Sequence, residues 1–263
     1  MEIFTHFYEQ EEVARRAIDI ALPGELAHKT ALFYIHGGGW SAGEREAFHT
    51  HLQYFAMKGY ACATAGYRLA PTVQLADQMG DIVVGYRLFV NCLRDQYGNE
   101  IERIIVLGSS AGAHLASLLA MTKPDEWVIE TDLRRNWQYP AACVSINGPG
   151  TLEEWKDMNE EIKVSIEQVI GARYGENEQL FRQASPLARV HPDVPDFLFL
   201  IVGKEEYFPH SYIYELEKEI KQHGSYAETV LFPEAEHGFF YGVTSKQQQE
   251  ALSILEAFLA RYE

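Results

Sequence analysis

The sequence predicts an α/β fold in which helices cover both faces of a mostly parallel sheet. Apolar runs of the length of buried parallel strands recur at 31–35, 60–65, 103–107, 141–146, 197–202 and 229–232. Segments with helical periodicity alternate with these runs at 44–58, 75–96, 111–122, 211–223 and 246–262. Because parallel neighbours need crossover connections, which are usually helical, this alternation indicates helices on both sides of one sheet.

The whole chain, 1–263, is expected to form a single domain with a small helical cap inserted at about 151–189. The inserted region has no obvious strand. Helical periodicity is present at 152–158 and 162–170, and a polar stretch follows at 175–179. No internal repeat or low-complexity tract divides the chain, so we interpret the insertion as a cover over the edge of the sheet.

The composition indicates a packed, water-soluble domain. The chain has 22 Lys and Arg against 38 Asp and Glu, a formal net charge of −16, which repels nucleic acid and anionic lipid headgroups. No stretch approaches the roughly 20 apolar residues that span a bilayer, and the N-terminal segment is acidic and polar. We therefore expect a cytoplasmic protein without nucleic acid or membrane partners.

Cysteine and histidine spacings give no support for a metal site. Cys62, Cys92 and Cys143 are far apart and lie among apolar residues, so buried free thiols are expected. His49 and His51 are two residues apart, and on a helix such residues face different directions. Neither a metal nor an organic cofactor is expected.

A nucleophile motif follows the predicted strand 103–107. Residues 108–112, GSSAG, fit G-x-S-x-G, and a helical segment comes directly after them. Small residues on either side of such a turn let strand and helix approach closely, and the start of the helix favours developing negative charge. This makes Ser110 the candidate nucleophile and Ser109 a turn residue, the alternative being a flexible turn or helix cap without chemistry.

The glycine run His36-Gly-Gly-Gly-Trp40 follows the strand 31–35 and matches a loop that supplies backbone N–H groups to an oxyanion. Glycines let these donors point into a cavity without side chains in the way. We expect the N–H groups of Gly38, Gly39 and Ala111 to form the oxyanion hole, and His36 to orient the loop. A phosphate-binding loop is the alternative, but the P-loop lysine and G-x-G-x-x-G are absent.

The candidate base and acid follow the last two predicted strands. His237 lies in a loop between strand 229–232 and the final helix, which is the place of the imidazole in a Ser-acid-His order. The acid should follow strand 197–202, where Glu206 is the first choice and Glu205 the alternative. The alternative is that both carboxylates are surface charges without a catalytic role.

Taken together, these motifs resemble the hormone-sensitive-lipase-like branch of the α/β-hydrolases, which includes carbohydrate esterases and bacterial acetylesterases. HGGGW, GYRLAP at 66–71, GSSAGAHLA and EHGF occur in that order. The resemblance implies the α/β-hydrolase fold, hydrolysis of carboxylic esters through Ser110, and no cofactor. It also implies structural roles for Tyr67 and Arg68, and a homodimer, since members are often dimers.

The chain departs from that branch in ways that narrow the expected substrate. Ser109 stands where members commonly have Asp, a variant familiar among sugar-ester deacetylases, and Glu206 stands for the usual triad Asp. An N-terminal cap like that of the larger lipolytic members is not expected, since only about thirty residues precede the strand 31–35. These features imply short-acyl esters of sugars or other small alcohols, selected by the cap and by aromatic side chains at Trp40, Phe208, Phe239 and Phe240. An arylformamidase-like amidase and a catalytically inactive binding protein are the alternatives.

Overall fold

The protein forms an eight-stranded sheet in the order β1-β2-β4-β3-β5-β6-β7-β8, in a computed structural model that describes residues 2–9, 13–128 and 137–263. The strands are β1 Phe4–Phe7, β2 Ala17–Ala21, β3 Thr30–Ile35, β4 Cys62–Ala65, β5 Arg103–Ser109, β6 Ala142–Ile146, β7 Asp196–Lys204 and β8 Ala227–Glu236. β2 runs antiparallel to β1 and β4, and the other neighbouring pairs are parallel. The predicted α/β class is confirmed.

Helices cover both faces of this sheet. In the described residues they are α1 His49–Met57, α2 Leu75–Tyr97, α3 Ala111–Met121, α4 Glu160–Ile170, α5 Glu178–Ala184, α6 His210–Gln222 and α7 Lys246–Leu259. α2, α3 and α6 pack on one face, and α1 and α7 pack on the other, each side with its own buried apolar cluster. In the parts of the chain that the structure describes, no helix is both long and apolar enough to cross a membrane.

All six predicted strands are present, whereas β1 and β2 were not predicted. β2 reads AIDIA, and its central Asp19 interrupts the apolar run although the strand is buried. The Asp19 carboxylate accepts hydrogen bonds from Thr5 Oγ1 and His49 Nε2 at 2.7 Å each, and it pairs with Arg45 Nε at 2.9 Å. These partners compensate the buried charge, so the strand can lie inside the sheet despite its polar residue.

The helix predicted at 152–158 is wrong, because the backbone at Asp157 is left-handed and a right-handed helix cannot continue through it. Leu152 N–H donates to Ser185 Oγ at 2.8 Å, and Asp157 adopts a left-handed φ of 61°. The second predicted cap helix exists as α4, which Asn159 caps by accepting the Glu161 N–H at 2.8 Å. The polar stretch at 175–179 leads into α5, which was not predicted.

Two glycines allow α3 to touch the carboxyl ends of β3 and β5. A Cβ on Gly112 would lie 2.1 Å from the Ile35 carbonyl oxygen and 2.4 Å from that of His36. A Cβ on Gly108 would lie 2.2 Å from the Gly112 carbonyl oxygen. The first turn of α3 is therefore in backbone contact with two strands, as the motif at 108–112 required.

Substituting Gly112→Ala should destabilise the protein by about 2 kcal/mol, because an overpacking cost of about 3 kcal/mol exceeds a helix-propensity gain of about 1 kcal/mol. Gly80→Ala is the matched control, since this glycine lies in α2 and an added Cβ would meet nothing closer than 3.5 Å. It should be neutral or stabilising. Urea denaturation measures both variants, and equal midpoints for the two would contradict the close approach at Gly112.

Candidate active site

Ser110 stands on a strained turn between β5 and α3. Its backbone adopts φ 55° and ψ −122°, an unusual conformation for a residue with a side chain. Its N–H donates to the Ile146 carbonyl at 2.8 Å, which ties the turn to β6. The side chain is half-buried at the start of α3, where the positive end of the helix dipole favours negative charge.

The His237 imidazole contacts the Ser110 hydroxyl. β8 extends to Glu236, so His237 directly follows the strand rather than lying deep in a loop. Its Nε2 is 2.8 Å from Ser110 Oγ, and the Tyr207 ring packs edge-on against the imidazole with centroids 4.8 Å apart. This geometry lets Nε2 accept the hydroxyl proton.

The carboxylate that faces His237 belongs to Glu205, so the first choice of Glu206 is wrong. Glu205 Oε2 and Oε1 lie 2.9 and 3.1 Å from His237 Nδ1, and the Glu205 side chain is only 6% exposed. Its Oε1 also accepts the N–H of Tyr207 at 2.9 Å. Glu206 is exposed.

The physical reason for this error is the end of β7. The strand continues to Lys204, past the predicted end at 202, and its pairing with β8 is irregular between Val202 and Lys204. Glu205 is therefore the first residue after β7, whereas the choice of Glu206 rested on its position three residues past Gly203. The alternative, Glu205, occupies the slot beside the imidazole.

These three side chains form a chain of hydrogen bonds from carboxylate to imidazole to hydroxyl. With Nδ1 donating to Glu205, the other ring nitrogen is free to accept from Ser110. The residues follow β5, β7 and β8, whose carboxyl ends share one edge of the sheet. Such an edge is where parallel α/β sheets place ligands.

The glycine loop after β3 lies beside Ser110. Gly38 and Gly39 adopt positive φ values of 115° and 57°, and both line the same cavity as Ser110. No hydrogen bond found within the described ranges uses either of their N–H groups. Ala111 begins α3, where helix N–H groups lack an intrahelical acceptor. The N–H groups of Gly38, Gly39 and Ala111 therefore remain the proposed donors of the oxyanion hole.

Trp40 anchors the end of the glycine loop, a role that the sequence pattern did not reveal. Its Nε1 donates to His114 Nδ1 at 3.2 Å, and His114 Nε2 donates to the Ala184 carbonyl at 2.7 Å. Burial lowers the pKa of His114 to about 4, which keeps this ring neutral. The loop, α3 and α5 are therefore joined through one buried imidazole.

His36 holds the start of the same loop. Its Nδ1 lies 2.8 Å from the Gly37 carbonyl oxygen, and its ring stacks on Tyr67 with centroids 4.3 Å apart. Burial lowers the pKa of His36 to about 4. Arg68, the neighbour of Tyr67, binds the buried Asp81 carboxylate through Nε at 2.8 Å. None of these three side chains hydrogen-bonds the candidate nucleophile.

A cavity of 560 Å³ opens above Ser110 and His237. None of the four aromatic side chains expected from the sequence lines it: Trp40, Phe208 and Phe240 are buried, and Phe239 is partly buried. Two tyrosines take their place. The cavity is also lined by residues outside the glycine loop that take no part in the hydrogen bonds between Glu205, His237 and Ser110. These include Ser41, Glu44, Ala47, Glu161, Ile162, Ser165, Tyr207 and Tyr241.

Glu205→Gln should slow the reaction of Ser110 with a fluorophosphonate by about a thousandfold, because an amide cannot stabilise the imidazolium. Glu206→Gln is the matched control and should react within about twofold of the native rate, since an exposed charge has little effect. The rates are measured by intact-mass spectrometry. Equal slowing in both variants would contradict the placement of Glu205.

The chain is similar over most of its length to two curated proteins of Mycobacterium tuberculosis. It is 26% identical to the esterase LipQ over 245 residues, which cover 91% of this chain and 56% of LipQ. It is also 26% identical to the probable carboxylic ester hydrolase LipM, with 87% of this chain and 53% of LipM covered. The chain thus spans about half the length of the curated relatives it matches.

Comparison with solved structures and with family models gives the same picture. Thermogutta terrifontis esterase 2, in a form phosphonylated by sarin, superposes with a TM-score of 0.82 at 21% identity, covering 98% of this chain and 94% of the other. This likeness establishes the α/β-hydrolase fold. The BD-FAE family model matches residues 18–219, which is most of the chain. The chain therefore belongs to the BD-FAE family.

Proposed function

We propose that this protein is a serine esterase that uses Ser110 as nucleophile, His237 as base and Glu205 as the orienting acid. The observation that carries the proposal is the unbroken chain of hydrogen bonds, with His237 Nε2 at 2.8 Å from Ser110 Oγ and Nδ1 at 2.9 Å from Glu205 Oε2. Nucleophile, base and third group are in the relation that acyl transfer needs.

The reaction proceeds in two steps. Ser110 Oγ bonds to the ester carbonyl carbon while His237 takes the hydroxyl proton, and Glu205 stabilises the imidazolium. The N–H groups of Gly38, Gly39 and Ala111 bind the negative carbonyl oxygen, which in such sites is worth about 3 kcal/mol per donor. The carbon–oxygen bond to the alcohol breaks, His237 returns the proton to the alcohol, and water then cleaves the acyl-enzyme through the same base.

The substrate is proposed to be a short-acyl ester of a small polar alcohol, such as an acetylated sugar. Ser41, Ser165 and Glu161 on the cavity wall offer hydroxyl and carboxylate groups that can hydrogen-bond an alcohol moiety. Thermogutta terrifontis esterase 2 is described with propionate and with butyrate bound, which supports a short acyl group. The two charged wall residues besides His237, Glu44 and Glu161, are both acidic, which favours neutral esters over anionic ones.

The two alternatives predict different behaviour. A catalytically inactive binding protein has no need for a carboxylate beside His237, yet Glu205 occupies that position. An arylformamidase-like amidase would hydrolyse N-formylkynurenine faster than p-nitrophenyl acetate.

A rapid-mixing experiment with p-nitrophenyl acetate tests the function. The native protein should release one equivalent of p-nitrophenol in a burst, because the acyl-enzyme forms before water cleaves it. Ser110→Ala should show no burst, and peptide mapping should find the acetyl group on Ser110. Hydrolysis by the native protein that persists undiminished in Ser110→Ala would refute the proposed nucleophile, and absence of turnover in both would refute the esterase.

A series of p-nitrophenyl esters tests the acyl preference. kcat/KM should be highest for C2 to C4 acyl groups and fall by at least about tenfold for C10, as the proposed short-acyl preference requires. Including N-formylkynurenine separates the amidase. A maximum at C10 or longer would reject the short-acyl proposal while leaving the mechanism intact.

A further inference from the structure

Tyr241 joins the segment that carries His237 to the glycine loop on the opposite side of the cavity. Gly238, with a left-handed φ of 79°, turns the chain directly after His237 into the short 3-10 turn Phe239–Tyr241. The turn presents the phenol toward the cavity, where Tyr241 Oη accepts the N–H of Gly37 at 3.0 Å. This contact links positions that are 204 residues apart in the sequence.

The phenol oxygen shares its surroundings with the nucleophile. A Cβ placed on Gly37 would lie 2.7 Å from Tyr241 Oη, 3.2 Å from Ser110 Cβ and 2.5 Å from the Ser109 carbonyl oxygen. The Tyr241 hydroxyl and the Ser110 side chain therefore both lie close to Gly37, the first glycine of the loop. Tyr241 also lines the cavity itself.

The ring of Tyr241 and the turn that carries it contact residues that do not line the cavity. Its ring packs against Phe48 with centroids 4.9 Å apart, and Gln248 Nε2 donates to the Phe239 carbonyl at 2.7 Å. His51, buried under the turn, packs edge-on against Phe240. Because these contacts do not involve the hydroxyl, replacing Tyr241 by phenylalanine removes the hydrogen bond and leaves the packing in place.

The phenol is neutral at physiological pH. Burial raises the pKa of Tyr241 above its usual value of 10, although the nearby Ser109 hydroxyl and the Gly37 N–H act in the opposite direction. A neutral phenol accepts the Gly37 N–H with a lone pair and keeps its own proton to donate. The Ser109 side chain, which acts on this phenol, is fully buried and uncharged.

We propose that Tyr241 is a positioning residue for the oxyanion hole: its hydroxyl fixes Gly37, and through it the N–H groups of Gly38 and Gly39, relative to Ser110. This inference rests on the proposed function. The tyrosine acts through the loop, so it contributes mainly when negative charge develops on the carbonyl oxygen. Loss of the hydroxyl leaves the Gly37 N–H without its acceptor and releases the start of the loop.

Steady-state kinetics of Tyr241→Phe with p-nitrophenyl acetate test the inference. We expect kcat to fall by roughly tenfold to a hundredfold, because small displacements of positioned groups have effects of this size, while KM stays within about twofold. The inhibition constant of phenylboronic acid, which forms a tetrahedral adduct with the serine, should rise by the same factor as kcat/KM falls. The melting temperature should fall by only a few degrees, about 2–8 °C, because one buried N–H loses its acceptor while the packing stays in place.

Tyr54→Phe is the matched control, because Tyr54 Oη donates to Glu256 Oε1 at 2.7 Å away from the cavity. It should retain native kinetics and native boronate affinity. A Tyr241→Phe enzyme with unchanged kcat and boronate affinity would overturn the inference, as would a rise in KM alone, which indicates a substrate contact. Either result would leave the proposed function intact, because that function is tested separately by the burst of the native enzyme.

Discussion

The active site depends on the backbone conformation of Ser110. A residue with a side chain adopts such a turn only when its surroundings impose it, at a cost of about 1–3 kcal/mol. Here the constraint comes from the contact of α3 with β3, which Gly112 permits, and from the Ser110 N–H bond to Ile146. These contacts offset the strain and hold the hydroxyl at the open edge of the sheet.

Neutral, buried histidines support the loops around this turn. Burial lowers the pKa values of His36, His51 and His114 to about 4, and each packs against a segment that borders the cavity. An uncharged imidazole both donates and accepts, as His114 does between Trp40 Nε1 and the Ala184 carbonyl, without a buried charge. His237 differs from them, since it is only partly buried and has a carboxylate partner. The imidazole proposed to move protons is thus the one with access to substrate.

Local sequence patterns predicted the parts of the structure that depend on local physics. The apolar runs predicted β3 to β8. The motif at 108–112 predicted the strand-turn-helix at Ser110, because this turn requires small residues at fixed spacing. β2 was not predicted, because the residues that compensate the buried charge of Asp19 are distant from it in sequence. Glu205 was only the alternative because the sequence does not show that β7 runs through Gly203 to Lys204, which makes Glu205 the first residue after the strand. Tyr241 had no local signature, since its contact with Gly37 forms only in the folded chain.

The most direct test of this account is a crystal structure of the protein after reaction with a phosphonate that mimics the tetrahedral intermediate. The account predicts phosphorus bonded to Ser110 Oγ and a phosphoryl oxygen within about 2.7–3.1 Å of the N–H groups of Gly38, Gly39 and Ala111. His237 should remain between the adduct and Glu205. A phosphoryl oxygen directed away from the glycine loop, or a carboxylate other than Glu205 against His237, would contradict it.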